Sequence, residues 1–294
     1  GTLHTCGIDV QGETWCWGSG FSGQLGNDDT EAKLAPTLVH GDHTFTSLSA
    51  GGHYTCALDH SDAAFCWGAN ADGQLGDGSN VTSHLPVPVS GDHRFGEIAP
   101  SHNHTCALDL QGRVFCWGSN SAGQMGTTRF GSTATPTPVE GGMTFVAVAA
   151  GLSHTCAVDT QQRAFCWGGD SYGQLGDGTG NSGGPTPRRV AGDALFLDIA
   201  AGENHTCALD TQDAIWCWGA NSAGQVGDGT FLHRAQPTPV ASGGRFSTIS
   251  CGRTHCCALS LDGSAYCWGS NARGELAGEG FHSTPVEVSS PEAS

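Results

Sequence analysis

Tyr54-Thr55-Cys56-Ala57-Leu58-Asp59-His60-Ser61-Asp62-Ala63-Ala64-Phe65-Cys66-Trp67-Gly68 decides the fold, because its pattern, Cys, nine residues, then Cys-Trp-Gly, is written out six times. Each copy pairs two cysteines ten positions apart: Cys6/Cys16, Cys56/Cys66, Cys106/Cys116, Cys156/Cys166, Cys207/Cys217 and Cys257/Cys267. Successive copies start 50, 50, 50, 51 and 50 residues apart. A fixed period of this length is the mark of a repeat architecture. The apolar positions alternate through Thr55–Asp59 and Ala64–Trp67, and Ser61-Asp62 between them is turn material, so the stretch reads as a β-hairpin. Cys56 and Cys66 are symmetric about residue 61 and face each other across that hairpin. A non-hydrogen-bonded antiparallel pair brings Cα atoms to roughly 4.5 Å, within reach of a disulfide.

Working outward, Phe45-Thr-Ser-Leu48-Ser-Ala50-Gly51 reads as a preceding strand and turn. Gly68-Ala-Asn70-Ala-Asp72-Gly73-Gln74-Leu75-Gly76 is a polar loop with Leu75 as its apolar anchor. Pro86-Val-Pro88-Val89 closes the unit, and proline confines that strand to an edge. Four short antiparallel strands per fifty residues, with no helical period, predict an all-β, six-bladed β-propeller. The repeats run approximately 1–44, 45–94, 95–144, 145–195, 196–245 and 246–294, as one domain over 1–294.

The copies are uneven. The hairpin and the Pro/Val strand each occur six times, whereas the Phe strand occurs five times, at Phe45, Phe95, Phe145, Phe196 and Phe246. One blade is therefore expected to lack a strand, with the two termini close together in it. The open edge at Gly1–Cys6 or Pro285–Ser289 is a candidate for joining protomers, or is blunted by Pro285 and Pro291.

Eleven Lys and Arg face 28 Asp and Glu, a formal charge of −17. That field disfavours nucleic acid and anionic membranes. No stretch has the roughly 18 apolar residues of a membrane helix, and no signal-like segment opens the chain, so an exported chain is expected in its mature form. A cysteine pair in every repeat reads as a disulfide in every repeat, which implies an oxidising place: extracellular, cell-surface or periplasmic. Cys251 and Cys256 are extra, and a local Cys251–Cys256 bond is the expected seventh bridge. Zinc prefers cysteines two to four apart, a spacing the repeated pairs do not show.

Trp67-Gly-Ala-Asn70-Ala-Asp-Gly73-Gln-Leu-Gly76, Trp117-Gly-Ser-Asn120-Ser-Ala-Gly123-Gln-Met-Gly126 and Trp218-Gly-Ala-Asn221-Ser-Ala-Gly224-Gln-Val-Gly227 resemble the regulator of chromosome condensation repeat. The resemblance covers the whole chain. It implies a β-propeller, commonly seven-bladed in that family. It implies several functions: a nucleotide-exchange factor for a nuclear GTPase, a plant ultraviolet photoreceptor, and secreted bacterial inhibitors of β-lactamase. The acidity and paired cysteines depart from the nuclear members. The photoreceptor's Gly-Trp-Arg-His-Thr run is missing, and six of the eight Trp stand in the Cys-Trp-Gly slot as blade-packing residues. Compared with the family's common pattern, the paired cysteines look like a disulfide-rich variant suited to an oxidising, extracellular place.

His4, His104, His154, His205 and His255 recur before the first cysteine, with Tyr54 in the second copy. A metal-binding ring competes with hydrogen bonding inside each blade, and repetition favours the latter. Asp28, Asp77, Asp177 and Asp228 after the glycine turns read as turn residues rather than calcium ligands. Phe130, Phe231 and Phe281 stand in the variable loops as possible contact residues or buried anchors. Asn80, Asn103 and Asn204 open glycosylation-type triplets. No catalytic motif is present, and no cofactor or metal is expected. The sequence thus predicts a non-enzymatic extracellular scaffold that binds protein or glycan or assembles with itself. A secreted enzyme inhibitor using one face, and a guanine-nucleotide exchange factor by family analogy, are the alternatives.

Overall fold

A computed structural model describes residues 1–180, 183–272, 274–276 and 280–288. They form six antiparallel sheets, a six-bladed β-propeller with no helix among the described residues. Five blades have four strands in sequence order. The second is Phe45–Ala50, Tyr54–Asp59, Ala64–Gly68 and Ser83–Pro88. Blades three to six begin at Phe95, Phe145, Phe196 and Phe246 and end at Pro138, Arg189, Pro239 and Glu287. First strands of successive blades approach one another and line the axis. The proline strands lie at the outer edge, where a missing N–H costs no ladder bond.

The first blade has three strands, His4–Ile8, Thr14–Gly18 and Lys33–Leu38. The C-terminal strands instead form a complete sixth blade. The expectation that both termini share one blade is therefore corrected: among the described residues the N-terminal strands pair only among themselves. Ser289 and Pro291, invoked for the C-terminal edge, lie outside the described residues.

The core is divided among the seams. Each of five apolar clusters spans two consecutive blades, as where Cys16, Leu25 and Val39 meet Phe45, Ala57 and Trp67. Trp67, Trp117, Trp167, Trp218 and Trp268 are fully buried. Trp17, their counterpart in the first blade, is only partly buried. Among the described residues no cluster joins the sixth blade to the first, so the sheet face carrying Trp15 and Trp17 has no blade against it.

Candidate functional site

The seams repeat one polar arrangement. Between blades three and four, the Gln124 carbonyl accepts the Thr155 hydroxyl at 2.8 Å and the Trp167 indole N–H at 2.9 Å. Thr155 has thus committed its proton, so its oxygen accepts from His104 Nε2 at 2.9 Å. That fixes the tautomer, and His104 Nδ1 accepts from Ser101 Oγ at 2.8 Å. His4–Thr55 and His154–Thr206 repeat the contact at 2.8 and 2.9 Å. The histidines therefore reach the following blade. The expectation of bonds within the blade is corrected for Nε2, because the next blade's Thr lies directly beside it, while His104 Nδ1 keeps a bond inside its own blade, to Ser101. Burial lowers the pKa of His4, His104, His154 and His205 to about 3, so all four are neutral.

The six repeated pairs Cys6–Cys16, Cys56–Cys66, Cys106–Cys116, Cys156–Cys166, Cys207–Cys217 and Cys257–Cys267 are disulfides, each with Cα atoms 4.1 Å apart. Cys251–Cys256 is the seventh, and no cysteine is free. Cys256 occupies the slot that holds Thr5, Thr55, Thr105, Thr155 and Thr206 in the other blades. His205 consequently points Nε2 at Cys256 Sγ, 3.0 Å away.

The loops of one rim are built around the amide of the Trp-Gly-x-Asn motif, whose sequence gives no sign of its partners. Asn221 Nδ2 donates to the carbonyls of Thr230 and Leu232, both at 3.1 Å, and Asn221 Oδ1 accepts from Val226 N. Asn120 holds Arg129 O in the same way at 2.6 Å, and Asn70 holds Ser79 O and Val81 O. These bonds pin the backbone beside Phe231 and Phe130 while leaving the rings outside. Phe130, Phe231 and Phe281 are 65%, 52% and 55% exposed, so they are surface residues and not buried anchors. Val81 and Leu232 join them at 71% and 65% exposure. Their signal was their place eleven residues after the repeated Asn, one residue beyond the aromatic slot.

Asp77 and Asp228 accept from the N–H and hydroxyl of Ser79 and Thr230 two residues on, as turn residues do. Asp228 is also paired with Arg234, and Asp177 with Arg188. Asn80 and Asn103 are exposed and Asn204 partly so. On the axial strands, Glu97 Oε2 accepts from Val148 N of the next blade at 3.2 Å. Burial pushes the Glu97 carboxyl up to about 7, and burial likewise raises Asp198.

The fold is shared with structures of low sequence identity. Human WBSCR16 superposes with a TM-score of 0.86 at 24% identity, over 95% of this chain and 76% of that one. Yeast RCC1 (Prp20), in its complex with Kap60, gives 0.85 at 23% identity, over 100% of this chain and 74% of that one. The ectodomain of the Physcomitrella patens receptor kinase CR4 gives 0.61 at 23% identity, over 91% of this chain and 60% of that one. The model of the RCC1-like domain matches residues 1–293. With the repeated hairpin, the glycine turn and the seam residues all in place over that span, the chain belongs to the family of RCC1-like domains.

Proposed function

We propose that this chain is a non-enzymatic extracellular scaffold that takes a protein partner on its loop rim. The observation that carries the reading is the set of outward aromatics, Phe130, Phe231 and Phe281, of which Phe130 and Phe231 stand on loops whose backbones are pinned by Asn120 and Asn221. Rigid loops offering aromatic rings bind with little ordering cost, and aromatic side chains dominate binding energy at protein interfaces. Seven disulfides and no free thiol suit an oxidising place. The likeness to a receptor-kinase ectodomain supports the same compartment. Prp20 has been studied for its binding to Gsp1p and histones, so a propeller of this fold serves protein recognition elsewhere. The exchange-factor alternative has the fold alone in its favour.

The test compares the chain with a variant carrying Phe130→Ser, Phe231→Ser and Phe281→Ser. Immobilised in turn, each is exposed to the medium of the source cells. A partner retained by the first and lost by the second, at equal thermal stability, supports the rim. Equal retention refutes it.

Self-assembly has a separate observation behind it. Ile8, Trp15, Trp17 and Pro36 line a shallow, mostly apolar face on the first blade that, among the described residues, no other blade covers. Sedimentation of the chain against Trp17→Ser distinguishes this reading: association lost in the variant supports it, and a monomer at high concentration excludes it.

A further inference from the structure

In three seams a threonine hydroxyl touches the disulfide of the blade before it. Thr55 Oγ1 lies 3.8 Å from Cys6 Sγ, and Thr155 Oγ1 and Thr206 Oγ1 lie 3.6 Å from Cys106 Sγ and Cys156 Sγ. Between blades five and six that slot holds Cys256, whose Sγ is 3.4 Å from Cys207 Sγ. Its own bonded partner, Cys251, stands where Ala50, Pro100, Ala150 and Ala201 stand elsewhere, opposite Cys256 on the neighbouring strand. Two disulfides, Cys207–Cys217 and Cys251–Cys256, are therefore in contact across this seam. Cys207, Cys217 and Cys256 are fully buried, whereas Cys251 is partly exposed.

We propose that these paired disulfides are a thiol–disulfide exchange site, which takes a dithiol at Cys251 and passes the break inward to leave a Cys207–Cys256 bond between blades five and six. Exchange proceeds by attack of a thiolate on a disulfide sulfur, so access selects the sulfur attacked. Of the four sulfurs, only that of Cys251 belongs to a partly exposed residue. The sulfur released by that attack is Cys256 Sγ, already in contact with the next disulfide. His205 Nε2 lies 3.0 Å from it, and His205 Nδ1 has no hydrogen-bond partner. The proton of this neutral, buried ring therefore sits on Nε2, where it donates to the leaving thiolate. The new bond would join residues 49 apart in place of a bond between residues 10 apart. The longer loop constrains the unfolded chain more, which favours the exchanged form.

The chemistry balances. One thiolate of the dithiol bonds to Cys251 Sγ, the Cys251–Cys256 bond breaks, and Cys256 leaves as a thiolate. Cys256 then bonds to Cys207 Sγ, the Cys207–Cys217 bond breaks, and Cys217 leaves as a thiolate that takes a proton. The second thiol of the dithiol displaces Cys251 from the mixed disulfide, which closes the dithiol to its own disulfide and leaves Cys251 as a thiol. Two electrons and two protons pass from the dithiol to the chain, which ends with Cys207–Cys256 bonded and Cys251 and Cys217 free.

The whole oxidised chain is treated without oxygen with one equivalent of dithiothreitol, quenched in acid at intervals, alkylated and digested without further reduction. The expected first product carries label on Cys251 and Cys217 and a Cys207–Cys256 peptide pair that is absent before the dithiol is added, with the other five disulfides intact. Label on Cys251 and Cys256 with Cys207–Cys217 intact, or first reduction at any other pair, overturns the site. A second arm reads the relay by rate. Cys251→Ala with Cys256→Thr restores the residues of the other blades, and Cys207–Cys217 should then open about tenfold more slowly than in the parent, because no released thiolate reaches it. An equal rate in that variant, at equal thermal stability, likewise overturns the proposal. His205→Gln keeps every disulfide and should slow the appearance of label on Cys217 several-fold.

Discussion

His104 Nε2 and Thr155 Oγ1 lie 2.9 Å apart across a blade seam, and the threonine's proton goes to Gln124 O. One hydroxyl thus satisfies a buried donor on one side and a buried acceptor on the other. Thr155→Val removes both while keeping the shape of the side chain. The Gln124 carbonyl retains the Trp167 indole, but the His104 N–H is left unpaired. An unsatisfied buried group costs about 1–3 kcal/mol. Urea unfolding should register that loss for Thr155→Val and a smaller one for Thr155→Ser; a Val variant as stable as the parent would show that the seam bond contributes nothing.

The same histidines set the acid limit of the fold. His4, His104, His154 and His205 titrate near 3 when folded, against 6.5 for an ordinary histidine. A depressed histidine adds stability that is fully present above pH 6.5 and is lost as pH falls toward the folded value. Each unit of pH in that window costs about 1.4 kcal/mol per histidine. Glu97 acts in the opposite sense: its pKa of about 7, raised from 4.5, removes stability as pH rises through that interval. Four histidines outweigh one carboxyl, so the melting temperature should drop steeply from pH 6 to pH 4. A flat profile over that range would show that the rings are hydrated.

The disulfide hairpin, its register and the edge position of the proline strand were legible because local spacing decides them. Cys56 faces Cys66 since the turn centred near Ser61 leaves no other antiparallel register. The extra Cys251–Cys256 bridge was also legible, as its two residues oppose each other on neighbouring strands. The histidine partners were not. They lie about fifty residues away, on a blade whose angle to the first is set by packing and not by any local signal. Likewise Trp17 carries the same motif as Trp67, and only the absence of a covering blade separates their burial.

Oxidation state gives a sharper test of the covalent scheme. The native chain should show no titratable thiol before reduction and fourteen after it. Peptide mapping should join only Cys251–Cys256 and the pairs ten positions apart. Removing Cys106 and Cys116 together should cost no more than about 3 kcal/mol, since the closed loop is short. A peptide linking cysteines of two different blades would overturn the scheme.

The glycine turns offer a prediction that separates backbone strain from packing. Gly76 has φ +72°, and a Cβ built there meets Trp117 Nε1 at 2.6 Å. Gly142 has a similar φ of +65° with nothing within 4 Å of its Cβ position. Both alanine variants carry the left-handed strain of about 1 kcal/mol. Gly76→Ala must in addition displace the indole that donates to Gln74 O and so opens the seam between blades two and three. Overpacking of that kind adds roughly 1–3 kcal/mol. Thermal melts should therefore place Gly76→Ala well below Gly142→Ala, with a red-shifted tryptophan emission in the first only. Equal melting temperatures would mean that the turn can retreat from Trp117 without cost, and that the glycine is there for its φ alone.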